Sequence, residues 1–270
     1  MQTRLNEILS SIGEAGLRLD HMKAVEASAG NISVHTDEKL ELSQAFDSVE
    51  NNVALPVSAP ALVGKTVFVT GSGCRLRDVA KAPQNYVAAY VINEDAKTAT
   101  CWYSKYGEFK RPTSEFNSHL AVHNSQAEER SVHFQAVIHA QPPYIVALSH
   151  INAMRNNEDF NRAILRWEPE TIVQIPQGVE VLEYMVPGSS ELMESNVRGL
   201  SRKIMTIWSR HGIMVRSDES ALGAVDKVEY AETGAMYEYL NRTMGSPSEG
   251  LSIEDLRKIV SAFNVETDLF

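Results

Sequence analysis

Two strongly β-prone segments of this chain lie beside each other with only a turn between them. The segments YVAAYVIN (residues 86–93) and TATCWYSK (residues 98–105) are rich in β-branched and aromatic residues, and the turn-like sequence NEDAK joins them. Two parallel neighbours need a crossover of a dozen or more residues, whereas antiparallel strands can be joined by a short turn. The pair therefore predicts a sheet with antiparallel neighbours.

The rest of the chain adds further strands and several helices. Strands are predicted after the small-residue turn at 28–31, at TVFVTGSG (66–73), QAVIHAQ (135–141), TIVQIP (171–176), VEVLEYMV (179–186) and IMVRS (213–217); helices are predicted over 1–19, from Thr113 through about Gln126, after Pro142-Pro143, and over 160–167, 189–210, 219–243 and from Ser252 onward. Residues 36–60 are polar and weakly patterned, which predicts irregular structure. We expect one α/β domain over residues 1–270, with helices on both faces of a mixed, mostly antiparallel sheet.

Charge and hydropathy exclude several classes of function. The formal net charge is −10, whereas binding to a phosphate backbone needs clustered lysine and arginine. No apolar run approaches the roughly 18 residues of a membrane span, and the N-terminus lacks the apolar stretch of a secretory signal. We therefore expect a cytoplasmic protein that binds neither nucleic acid nor a membrane.

Small polar residues at turns suggest a site for an anion. Gly30-Asn31 precedes a predicted strand, and the sequence TGSG, which contains Ser72 and Gly73, follows another. Thr113 and Ser114 are expected to cap the helix that follows them. Backbone N–H groups at such turns and at a helix N-terminus can bind phosphate. Each turn alone is more often structural, but together they could converge on one anion.

A second group of residues has the chemistry of a metal site. His139 and Gln141 lie two residues apart, so they point to the same face of a predicted strand, and His211 lies in the later segment WSRHG. Imidazole nitrogen is a common ligand of Zn²⁺, and an amide oxygen is a poorer one. Glu115 is either a surface residue at a helix start or a general base. The pair His119 and His123 is expected to be packing or surface residues.

The order of these segments resembles the class II aldolase/adducin family. The resemblance rests on GNIS, VFVTGSG, RPTSE, VIHAQP, WEPETIVQIPQGV, EYMVPGS, WSRHG and SIEDLRKIV, which occur in the family's order over nearly the whole chain. It implies a single three-layer α/β/α domain, usually assembled as a homotetramer. It also implies a divalent metal, normally zinc, that is held by three histidines. His139 and His211 match the first and third of these, and Gln141 stands in the place of the second.

The resemblance also assigns roles to the polar turns. Gly30, Asn31, Ser72, Gly73 and Ser114 match positions that bind the substrate phosphate, Glu115 matches the catalytic carboxylate, and Glu170 matches a second acidic residue near the metal. The implied substrate is a small phosphorylated sugar, a ketose 1-phosphate such as rhamnulose 1-phosphate. The implied reaction is metal-assisted cleavage to dihydroxyacetone phosphate and a small aldehyde.

Gln141 leaves several alternatives open. Its amide oxygen could bind the metal directly, or Glu115 or Glu170 could complete the coordination. In a third alternative the metal is absent and the domain is an inactive adducin-like binding or assembly module. A sugar-phosphate epimerase or dehydratase on the same fold is a further alternative.

Overall fold

Nine strands form one open sheet in the computed structural model, which describes residues 3–270. The strands are Asn31–Thr36 (β1), Ser48–Ala54 (β2), Thr66–Thr70 (β3), Val87–Ile92 (β4), Thr98–Tyr103 (β5), Phe134–Ala140 (β6), Glu180–Leu182 (β7), Met205–Trp208 (β8) and Gly212–Ser217 (β9). Their order in the sheet is β2-β5-β4-β3-β1-β6-β9-β8-β7. Every neighbouring pair is antiparallel except β7 with β8, so the mixed, mostly antiparallel sheet is confirmed.

Helices cover both faces of the sheet. They are Arg4–His21 (α1), Leu76–Val79 (α2), Phe116–Arg130 (α3), Pro143–Ser149 (α4), Asn157–Leu165 (α5), Pro169–Gln174 (α6), Ser190–Arg202 (α7), Ala221–Thr243 (α8) and Ile253–Ala262 (α9). Among the described residues, no helix is long and apolar enough to cross a membrane. The helix predicted over residues 1–19 is α1, although its first two residues lie outside the described part of the chain.

The side chains of β6 define the two helical layers. Ala136 and Ile138 point into the main core, which also contains buried side chains of α1, α4 and α8. Val137 points to the other face and packs in a separate core with Leu192 and Leu200 of α7 and with one residue of α3. The fold is therefore a three-layer α/β/α sandwich, as the sequence predicted.

Helix ends follow the capping rules in some places and depart from them in one. Ser252 and Asp255 form a reciprocal capping box at the start of α9, as predicted. The hydroxyls of Thr113 and Ser114 were expected to cap α3, but this expectation is wrong. The N-cap residue is Glu115, and no side chain accepts a hydrogen bond from the first turn of α3. That first turn instead opens beside the cavity described below.

Four other predictions of secondary structure are wrong in whole or in part. Residues 36–60 contain the edge strand β2, which is mostly exposed and therefore lacks the apolar alternation of a half-buried strand. TIVQIP was predicted to be a strand, but its first four residues belong to the helix α6, which begins at Pro169. The helix predicted over 189–210 ends at Arg202, because the apolar residues of 205–208 pair with β9 as the buried strand β8. The strand predicted over 179–186 is reduced to β7.

Strand register brings the distant polar segments to one end of the sheet. β1 lies between β3 and β6, so Asn31 is paired directly with His139. β6 also pairs with β9, which places His139 opposite Met214 and close to the turn between β8 and β9 that carries His211. The start of β1, the end of β6 and this turn therefore meet at the same end of the central strands.

Candidate metal and substrate site

A cavity of about 360 Å³ lies where these chain segments meet. It is lined by Ser28, Ala29, Gly30, Asn31, Gly71, Ser72, Gly73, Thr113, Ser114, Glu115, His139, Gln141 and His211. The lining contains every residue that the sequence analysis assigned to catalysis or to binding of the metal or the substrate, except Glu170. Glu170 lies exposed on α6, which packs against α8 and α9, so the structure does not bring it to this cavity.

Three potential metal ligands converge in the cavity. One ligand atom each of Glu115, His139 and His211 lies within 4.8 Å of the other two. Oε2 of Glu115 is 3.5 Å from Nε2 of His139, and Oε1 is 4.0 Å from Nε2 of His211. Two tetrahedral ligands at Zn²⁺ bond lengths of about 2.0–2.1 Å lie about 3.4 Å apart. The separations therefore suit an ion of this size after small adjustments.

Hydrogen bonding orients His139 as a ligand. The ring is 1% exposed, and its Nδ1 donates to the backbone carbonyl of Ile213 at 2.8 Å. The neutral ring then carries its lone pair on Nε2, on the side of the cavity. Trp208 stacks on the imidazole at 4.5 Å between ring centroids, and its indole N–H donates to Asn196. The ring of His139 is thus fixed in both tautomer and direction.

His211 is held at the turn between β8 and β9. Burial and the neighbouring His139 lower the pKa of His211, although Glu115 acts in the opposite direction. A lowered pKa favours the neutral imidazole, which is the form that binds a metal. The next residue, Gly212, approaches the sheet so closely that a Cβ atom would lie 2.3 Å from the carbonyl oxygen of Ala140. Glycine at this position therefore permits the close approach of His211 to His139.

Gln141 donates a hydrogen bond to the ring nitrogen of His139 that faces the cavity. Its side-chain nitrogen lies 2.7 Å from Nε2 of His139, and its Oε1 is buried without a hydrogen-bond partner. A buried acceptor without a donor is unfavourable. If the amide turned over, the oxygen would take the place of the nitrogen beside Nε2 of His139, where a cation bound to that ring would satisfy it. Gln141 thus fits as an additional oxygen ligand beside the three groups that already converge.

The loops that could receive a phosphate are tied together by backbone hydrogen bonds. The N–H of Ser72 donates to the carbonyl of Arg111, and the N–H of Thr113 donates to the carbonyl of Thr70. These bonds place the glycine turn 71–73 beside the N-terminus of α3. Gly73 has a φ of +79°, which glycine adopts without strain. Ser72 and Ser114 line the same cavity as the glycine turn and the residues before α3, a set of donors that suits an anion.

Sequence reasoning missed the hydrogen bonds that support Glu115: it assigned Asn31 only to the phosphate and gave His119 no role in the site. The carboxylate is 5% exposed, and Asn31 donates from Nδ2 to its Oε2 at 2.9 Å. His119, which was expected to be a packing or surface residue, is fully buried with Nε2 facing Oδ1 of Asn31. The only signal in the sequence is that His119 lies four residues after Glu115, on the same face of a helix.

Comparison with known proteins agrees with this architecture. An α/β/α domain with a carboxylate and two imidazoles in a polar cavity is a candidate metalloenzyme, and residues 10–239 match the model of the "Class II Aldolase and Adducin N-terminal domain" family. The chain belongs to the class II aldolase/adducin family.

Relatives and solved structures share most of their length with the chain. The rhamnulose-1-phosphate aldolase of Bacteroides thetaiotaomicron is 26% identical over 241 residues, which cover 89% of this chain and 88% of that protein. The enzyme of the same name from Listeria monocytogenes is 26% identical over 249 residues, or 89% and 87% of the two chains. The crystal structure of a sugar-phosphate aldolase from Thermotoga maritima has a TM-score of 0.76 and 25% identity, with coverage of 92% and 100%.

Proposed function

We propose that this protein is a metal-dependent aldolase that cleaves a ketose 1-phosphate to dihydroxyacetone phosphate and a small aldehyde. The observation that carries the proposal is the convergence of Glu115, His139 and His211 in the same cavity as the polar glycine turns. Relatives that match over 89% of this chain are named rhamnulose-1-phosphate aldolases, which makes rhamnulose 1-phosphate the first substrate to test.

Glu115, His139 and His211 would hold a divalent cation, and Gln141 would add its amide oxygen. Two imidazole nitrogens with a carboxylate are a ligand set that suits Zn²⁺. The bound cation supplies Lewis-acid stabilisation of the negative charge that develops on substrate oxygen when the carbon–carbon bond breaks. The carboxylate would take the place of the third imidazole, so Gln141 at this position is compatible with a metal site.

The remaining groups of the cavity would bind and orient the substrate. Gly30, Asn31, Ser72, Gly73 and Ser114 surround the part of the cavity that we assign to the phosphate. A phosphate anchored there fixes the reacting carbon relative to Glu115, which lowers the entropy of reaching the transition state. We assign to Glu115 the transfer of the proton at the carbon that becomes the hydroxymethyl group of dihydroxyacetone phosphate.

The buried charge of the cavity argues against a metal-free assembly module. Glu115 is nearly buried beside two imidazoles, and Oε1 of Gln141 and Nδ1 of His211 have no hydrogen-bond partner. Such an arrangement is unfavourable for a domain that only packs against other proteins, because buried polar atoms are normally satisfied. A cation would satisfy Gln141 and compensate the carboxylate.

An assay of the purified protein tests the proposal. Protein made without a histidine tag should contain about one divalent ion per chain and should release dihydroxyacetone phosphate from rhamnulose 1-phosphate. Fuculose 1-phosphate and other ketose 1-phosphates serve as comparison substrates, and identification of the products separates cleavage from epimerisation or dehydration. A protein that binds no metal and releases no dihydroxyacetone phosphate from any of them would overturn the proposal. Light scattering on the same sample tests the homotetramer that we propose from the family relationship.

A further inference from the structure

A continuous series of buried hydrogen bonds leads from Glu115 into the layer between β1 and α3. Asn31 donates from Nδ2 to Oε2 of Glu115 at 2.9 Å, and its Oδ1 faces Nε2 of His119. On the other side of this ring, Nδ1 of His119 lies 2.7 Å from Oγ of Ser33. Both Ser33 and His119 are fully buried, so these polar groups depend on one another for their hydrogen bonds.

The series continues from Ser33 to a second carboxylate. Oγ of Ser33 is also 2.7 Å from Nε2 of His123, whose Nδ1 lies 3.0 Å from Oε1 of Gln135. Gln135 donates from Nε2 to Asp218 at 2.8 Å. Asp218 forms an ion pair with Arg130, so it is an ionised acceptor. The series therefore has a carboxylate at each end and the hydroxyl of Ser33 in its middle.

The two carboxylates determine which atoms carry protons. An ionised carboxylate only accepts hydrogen bonds, so Asn31 presents its nitrogen to Glu115 and its oxygen to His119. His119 must then be protonated on Nε2 and bare on Nδ1. By the same argument from Asp218, His123 is protonated on Nδ1 and bare on Nε2. Burial lowers the pKa of His119 to about 3 and that of His123 well below its ordinary value, so each ring carries one proton at neutral pH.

Ser33 has a single proton to donate to two bare nitrogens. When it donates to Nδ1 of His119, that ring can only donate through Nε2, and the oxygen of Asn31 must accept. The amide of Asn31 then cannot turn over, because its NH₂ group would face the N–H of His119. His119 and Ser33 therefore determine, through Asn31, that an amide N–H group is the donor to Oε2 of Glu115.

We propose that His119 is a positioning residue that fixes the amide of Asn31 and, through it, the carboxylate of Glu115. Oε2 is held by Asn31, which leaves Oε1, on the side of His211, for proton transfer. This role rests on the proposed function, since it concerns the same carboxylate. His119 touches neither the candidate metal position nor the cavity, so it acts only through Asn31.

Two substitutions of His119 separate positioning from packing. The amide nitrogen of glutamine can occupy the place of Nε2 and donate to Asn31, so His119→Gln keeps the donor that matters. Asparagine is also a neutral amide but is one methylene shorter than glutamine. In His119→Asn the amide nitrogen therefore reaches only the place of Nδ1, and the donor to Asn31 is lost. We expect kcat of His119→Asn to fall about 10- to 100-fold with KM changed by less than about threefold, a typical effect of losing a supporting hydrogen bond. His119→Gln should stay within about fivefold of the parent in kcat, because its donor is retained.

His123→Asn is the matched control on the same helix. It disturbs an equally buried imidazole on the other side of Ser33, but it leaves the Ser33 proton available to His119. We expect its kcat to lie within about threefold of the parent, since the donor to Asn31 is unchanged. Equal losses of kcat in the two His119 variants, or an effect on KM alone, would overturn the proposal.

Two measurements remain informative if the His119 variants fold poorly or the protein lacks aldolase activity. Nitrogen-15 spectra of histidine-labelled parent protein should show His119 protonated on Nε2 and His123 on Nδ1; His119 protonated on Nδ1 would overturn the proposal. Zinc affinity should be weaker in His119→Asn than in His119→Gln, because Glu115 is a candidate ligand. If the tautomer and the affinity difference are found but no substrate is cleaved, the positioning role stands and the proposed function fails. If the substrate is cleaved but His119 carries its proton on Nδ1, the proposed function stands and the positioning role fails.

Discussion

The side-chain nitrogen of Gln141 lies 2.7 Å from Nε2 of His139, the atom that a metal ion would need. The same amide leaves its oxygen buried and without a partner. One residue therefore competes with the metal in one orientation and can bind it in the other. The energetic difference between these orientations decides how well the three converging groups hold an ion.

Replacing Gln141 by histidine should strengthen metal binding. Gln141→His removes the competing amide and supplies a third imidazole, a better ligand for Zn²⁺ than an amide oxygen. We expect zinc affinity to rise by a factor of about 10 or more, the scale on which neighbouring groups tune a metal site. Competition with a chromophoric chelator measures the change. Gln141→Ala is the control for removal of the competing amide, and an unchanged affinity in Gln141→His would contradict a ligand position at residue 141.

Removing the charge of Glu115 should abolish most of the catalysis. Glu115→Gln keeps the shape of the side chain, but the neutral amide cannot transfer a proton and binds a cation less well than the carboxylate. We therefore expect kcat to fall about 10²- to 10⁴-fold. Steady-state release of dihydroxyacetone phosphate measures this loss. Glu128→Gln is the matched control, because Glu128 lies exposed on α3, the helix that begins after Glu115, and away from the cavity. Similar rates in both variants would show that Glu115 is not the proton-transfer group.

Much of the sheet could be predicted from the sequence, whereas the support of the site could not. β4 is mostly buried and β5 is half-buried; both are β-prone and a short turn separates them, so local pattern and tertiary context agree. β2 was missed because an exposed edge strand has no apolar alternation, and β8 was missed because its apolar residues continue the pattern of the preceding helix. The contact of His119 with Asn31 joins residues 88 positions apart, so it depends on how α3 packs on the sheet rather than on any local signal.

The buried carboxyl group of Glu232 should make the protein less stable as the pH rises. Burial raises the pKa of Glu232 to about 7, although it accepts hydrogen bonds from the N–H groups of Tyr144 and Ile145 at the start of α4. Between the ordinary value near 4.5 and about 7, the folded state holds a proton that the unfolded state has lost. The free energy of unfolding therefore falls with rising pH over this window, by at most about 3 kcal/mol.

Urea denaturation from pH 4.5 to 8 measures this dependence. Glu232→Gln does not titrate, so its free energy of unfolding should fall less across the window than that of the parent. The comparison is between slopes, because the substitution also changes the hydrogen bonds at the start of α4. Parallel curves for the two proteins would show that Glu232 keeps an ordinary pKa in the fold.

Removal of the metal should lower the melting temperature through loss of binding energy rather than through unfolding of the site. A ligand present at a hundredfold excess over its Kd stabilises the folded state by about 2.7 kcal/mol. For a chain of this length, that corresponds to a rise of about 5 °C when zinc is added back to chelator-treated protein. In His211→Ala the rise should disappear while the metal-free melting temperature changes little, because the side chain of His211 is 20% exposed and its Nδ1 has no partner to lose.

His150→Ala, at an exposed histidine outside the cavity, should keep the full rise and so excludes non-specific binding of zinc to imidazoles. A rise of equal size in both variants would place the ion elsewhere than between Glu115, His139 and His211.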